Sequence, residues 1–154
     1  MRQHYEAMPR NDANFVPLSP LSFINRTAEL FPDRTAVIYG ERRYTWAESY
    51  ARMRRLASAL TGAGLGIGDT VSVIAANTPE MFEAHFGVPM AGCVLNTINT
   101  RLEAETISYI LENSDCRVLI VDTAFAPAVV PALESLPADV RKNIRVVDIR
   151  DAAM

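Results

Sequence analysis

The sequence predicts an α/β fold: a mainly parallel sheet with alternating helices, and an antiparallel hairpin on its N-terminal side. Three observations carry this. From Trp46 onward, helical and strand patterns alternate without interruption, and such alternation means crossover units and parallel strands. Val71–Ala76 (VSVIAA) and Arg117–Val121 (RVLIV) are near-continuous apolar runs, as expected of strands buried on both faces. Upstream, Thr35–Tyr39 (TAVIY) and Arg42–Thr45 (RRYT) flank Gly40-Glu41, which reads as two short strands around a turn.

Residues 1–18 are polar and broken by Pro9 and Pro17, and read as an arm over the surface. Ser19 is the expected N-cap of a first helix and Pro20 its first residue. Leu21, Ile24, Ala28 and Phe31 share one face of that helix, and Pro32 ends it. After the hairpin, Thr45-Trp46-Ala47-Glu48 has the form of a capping box. The helix it opens runs to about Leu60, with Trp46, Tyr50, Met53, Ala57 and Leu60 as its apolar stripe. Arg52, Arg54 and Arg55 lie off the stripe and read as a solvated face.

Thr61–Gly68 (TGAGLGIG) is rich in glycine but is not a dinucleotide loop. Ile67 stands where the third glycine is needed, and the segment ends a helix before a strand rather than the reverse. Its glycines suit a helix stop and a tight turn. Thr78 and Pro79 then start a helix that Gly92 closes, followed by a strand at Cys93–Leu95 and a polar loop at Asn96–Arg101. A helix at Glu103–Asn113 turns Ile107, Ile110 and Leu111 inward. A further helix begins at Asp122-Thr123 and carries Phe125, Val129, Val130, Leu133 and Leu136; Pro131 inside it predicts a kink or two short pieces. Ile144–Ile149 is the last strand. A sheet bounded by that strand leaves an unpaired edge and an apolar face, so the isolated chain is expected to be marginal or to self-associate through that surface, with a homodimer as one candidate assembly.

The 154 residues suit one domain or part of a larger one. A net charge of -3 argues against a nucleic-acid partner. Cys93 and Cys116 have neither metal spacing nor a disulfide framework, and read as buried, reduced thiols. The N-terminus has no apolar core of signal-peptide length, and no apolar run approaches the ~20 residues that span a bilayer. A reducing cytoplasm is the expected location.

Candidate chemistry is sparse. His85 has no ligand partner at metal spacing and reads as a packed or hydrogen-bonded structural histidine. Glu80 and Glu83 are placed to share a helix face, but Glu80 in the first turn is explained by the helix dipole. Acid–base work needs one buried and one wet carboxylate, of which the sequence shows no sign. Asn96, Thr97, Asn99 and Thr100 follow a strand at the sheet edge where ligands bind in open α/β folds, and equally suit turns and caps. No serine lies in a nucleophile elbow. No residue is assigned a catalytic, cofactor-binding or metal-ligating role.

TAVIYGERRYTWAESYARMRRLASAL and GIGDTVSVIAANTPEMFEAHFGVPMAGCVLNTINTRLEAETISYILENSDCRVLIVD together resemble the opening segments of the adenylate-forming acyl-CoA synthetases. The stretch HFGVPMAGCVLNTINTRL is most similar to ligases for short, medium-chain or aryl acids, including 3-methylmercaptopropionyl-CoA ligases and medium-chain fatty-acyl-CoA ligases. The resemblance covers about residues 18–150. It implies an incomplete N-terminal (AMP-binding) domain over residues 19–154, with the C-terminal domain absent. It also implies a two-step reaction using ATP, Mg²⁺ and coenzyme A on a small carboxylic acid. The phosphate loop of the family, with its lysine, has no counterpart here: the cationic residues after position 113 follow no Gly-rich segment. No family site residue therefore maps onto this chain. The expectation is an inactive fragment that binds none of these molecules tightly; a non-enzymatic relic serving as a scaffold, and an unrelated nucleotide-binding domain, are the competing readings.

Overall fold

The computed structural model describes Pro9, Asn11, Phe15, Val16 and residues 18–150. Most of the predicted arm thus lies outside the described residues. Helix α1 (Pro20–Leu30) opens as predicted, with Ser19 Oγ accepting from the Leu21 amide and Ser22 completing a capping box. It buries Ile24 and Ala28, but Phe31 is 44% exposed. Phe31 precedes Pro32 and leaves the helical path at φ -133°, because a residue before proline is pushed out of the helical region. Strands β1 (Thr35–Tyr39) and β2 (Arg42–Thr45) form an antiparallel two-stranded sheet of their own.

Helix α2 (Trp46–Gly62) is held by the predicted capping box: the Glu48 amide donates to Thr45 Oγ1 at 3.2 Å and the Thr45 amide to Glu48 Oε2 at 2.8 Å. The glycine segment is the predicted stop and turn, with Gly64 and Gly68 at φ +86° and +89°, where a side chain is strained. The Gly66 amide donates to Asp69 Oδ2 at 2.9 Å and closes the turn.

Strands β3 (Thr70–Ile74), β4 (Val94–Thr97), β5 (Cys116–Asp122) and β6 (Arg145–Ile149) make one all-parallel sheet in the order β4-β3-β5-β6. Helices α3 (Pro79–Met90), α4 (Ala104–Asn113) and α5 (Ala126–Ser135) connect them, with a short α6 (Ala138–Arg141) before β6. Every residue of β3 is buried, as its near-continuous apolar run predicts for a central strand.

The core has two halves, one on each face of the sheet. Val71, Val73, Val118 and Ile120 pack with Leu60 of α2 and Ala84 and Val88 of α3. Ile74, Leu119 and Val121 pack with Ile107 and Leu111 of α4 and Val129 and Ala132 of α5. Helices α2 and α3 meet at Gly87, where an added Cβ would lie 2.9 Å from the Met53 carbonyl oxygen and from Leu56 Cδ2.

Three expectations are corrected. Asn96 and Thr97 belong to β4, not to the loop after it, because the strand starts at Val94 and continues in register with β3 as far as Thr97 opposite Val73. Asp122 caps a 3-10 turn (Thr123–Phe125), and the α-helix begins only at Ala126. Pro131 sits inside that helix without dividing it; the chain leaves the helix at Leu136, ahead of Pro137.

Candidate functional site

Among the described residues, the densest group of charged side chains lies where α2, α3 and the hairpin meet. Arg52, expected on a solvated face, is instead the hub. Its Nε donates to Glu83 Oε1, its Nη2 lies 3.7 Å from Glu80 Oε1, and its guanidinium sits 5.0 Å over the Tyr44 ring. Arg42 reaches the same Glu80 oxygen at 3.6 Å from strand β2. Arg54 and Arg55 are exposed, as expected.

Glu80 and Glu83 therefore do share a face, and Glu83 is the more buried, at 8% exposure. Burial holds the Glu83 carboxyl above the usual carboxylate range, outweighing the Arg52 bond that pulls it down. That bond in turn raises the Arg52 guanidinium. Glu80 Oε2 is buried without a hydrogen-bond partner. The arrangement resembles the buried-and-wet carboxylate pair of acid–base catalysis, but Arg52 neutralises both members at once. Its immediate effect is to tie three elements together.

His85 is exposed, and its Nδ1 lies 2.8 Å from the Met81 carbonyl one turn back, which assigns the proton to Nδ1. It lines a groove of about 600 Å³ between Ala36–Tyr39 of β1 and residues of α3 and the turn before it, whose lining includes the Phe82–Phe86 edge-to-face pair at 5.5 Å. A second groove of about 470 Å³, lined by Leu18, Phe23, Ile24 and Trp46, meets the first at Phe86.

On the other side of the molecule, Asn96 holds a polar ladder in the sheet. Its Nδ2 donates to Ser72 Oγ at 3.1 Å and to Ser114 Oγ at 3.3 Å. The buried Cys116 thiol donates to the Val118 carbonyl at 3.3 Å, and burial chiefly shifts that thiol upward. Cys93 is likewise pushed up, by burial and then by Asp69. Neither thiol has the lowered pKa of a nucleophile. Asn99 Oδ1 accepts from the Arg101 amide at 2.9 Å, which makes it a turn residue.

At the carboxyl end of β5, Asp122 is 1% exposed; its Oδ1 accepts from the Ala124 amide at 3.0 Å and its Oδ2 has no hydrogen-bond partner. The sequence reading named Arg52, Glu80, Glu83 and Asp122 but missed the pairing of the first three and the burial of the last. Arg52 and Glu83 are 31 residues apart, and nothing in either neighbourhood signals the other.

Among the described residues, no group of three or more His, Cys, Asp or Glu side chains is placed to hold a metal ion. No helix among them is long and apolar enough to cross a membrane.

The chain matches the model of the AMP-binding enzyme family over residues 24–153. It is 47% identical over 126 residues to a peroxisomal butyrate–CoA ligase of Arabidopsis thaliana, covering 82% of this chain and 22% of that protein. It is 44% identical over 138 residues to an acetate–CoA ligase of Humulus lupulus, covering 90% and 24%. The chain thus spans about a quarter of the length of the curated relatives it matches. Its fold matches a benzoate–CoA ligase of Burkholderia xenovorans with a TM-score of 0.75 at 27% identity, covering 84% of this chain and 25% of that one. A fatty-acyl-CoA synthetase of Mycobacterium tuberculosis gives 0.74 at 29%, covering 84% and 26%.

Proposed function

The chain belongs to the AMP-binding enzyme family, and from that premise we propose that it is the N-terminal part of an acid–CoA ligase. On this reading the carboxylate of a small acid attacks the α-phosphate of ATP, releasing pyrophosphate. The thiol of coenzyme A then displaces AMP from the acyl-adenylate. The observation that carries the proposal is the 44–47% identity, over most of this chain, to proteins named as CoA ligases.

The named acids of the relatives include acetate, butyrate and benzoate, so a short-chain or aryl acid is the proposed substrate class. The finer assignment to a medium-chain or methylthio-substituted acid rests on the wording of HFGVPMAGCVLNTINTRL alone. Two free, buried thiols suit a reducing compartment. We place the protein in the cytoplasm, and imaging of a tagged full-length product distinguishes this from the peroxisome named for several relatives.

This chain contributes scaffold to that reaction. It supplies a buried parallel sheet whose carboxyl edge is the place ligands occupy in open α/β folds. It carries no glycine-rich loop after a strand to cradle a triphosphate. By itself, then, the 154-residue chain forms no acyl-CoA. The test is pyrophosphate release and thioester formation with acetate, butyrate, benzoate and 3-methylthiopropionate, measured on this chain and on the product of the gene read through its downstream sequence. Acid-dependent pyrophosphate release from the short chain sinks the inactivity proposal. A read-through product that makes no thioester from any of these acids sinks the ligase proposal.

A further inference from the structure

No further inference is drawn: the strongest candidate, the apolar trough formed by the two grooves that meet at Phe86 between α1, α3 and strand β1, is an open face, and nothing in the structure shows what covers it.

Discussion

Glu83 sets two effects against each other in a single side chain. Burial favours its neutral form and Arg52 favours its charged form, and burial wins, so its pKa is raised in the folded protein. The folded state therefore binds the proton more tightly than the unfolded chain does. Stability from this group is fully present below the ordinary glutamate value of about 4.3 and is lost as pH rises through the raised one. In urea titrations across that interval, the native protein should lose stability relative to Glu83→Gln as pH rises. The opposite slope would mean that the Arg52 pair, and not desolvation, governs the residue. Gly87 gives a second prediction at this scale. A methyl there meets a backbone oxygen at 2.9 Å, which cannot move aside as a side-chain tip can. Gly87→Ala should cost about 1–3 kcal/mol of overpacking strain by chemical denaturation. Neither residue stands out in the sequence: Glu83 looks like any helical glutamate, and Gly87 lies in an apolar helix where its close contact with α2 leaves no local mark.

Elements were far more legible than contacts, because their signals are local. The cap at Ser19, the box at Thr45–Glu48, the cap at Thr78 and the hairpin boundaries each depend on residues within a few positions of one another. Thr45→Ala should accordingly remove about 1 kcal/mol, seen as a lower urea midpoint with an unchanged slope; no shift would mean that packing of Trp46 and Ser49 alone holds the helix start. Where element reading failed, tertiary pairing had overridden turn chemistry. Asn96 and Thr97 look like loop residues, yet the parallel ladder with β3 draws them into β4, and the Ser72 hydroxyl gives the Asn96 amide a partner there. Pro131 costs its helix only one ladder bond and takes a place opposite the side that buries Val129 and Ala132, so of the expected kink or two short pieces the division into two did not occur. The candidate site was the least legible part of the molecule. Its ion-pair hub joins β2, α2 and α3, and no single stretch of sequence contains that meeting.

At the scale of the whole molecule, cover is uneven. Strand β3 lies between β4 and β5 and is buried throughout, whereas β6 pairs only with β5. Four of the five residues of β6 are exposed, including Val146 at 43% and Val147 at 44%. An exposed apolar edge strand with free backbone donors and acceptors is a template for pairing with another chain. The expected sequel is self-association of the isolated chain through β6. Gel filtration should show a species larger than 17.0 kDa whose share grows with concentration. Three surfaces compete for responsibility, the β6 edge, the β4 edge and the apolar grooves around Phe86, and one substitution singles out the first. A lysine on an edge strand blocks sheet extension while leaving distant grooves untouched, so Val147→Lys should return the chain to monomer if the edge is responsible. Persistence of the larger species in Val147→Lys would transfer the interaction to the β4 edge or the grooves. A native chain that stays monomeric at every concentration would remove the case for any of these surfaces.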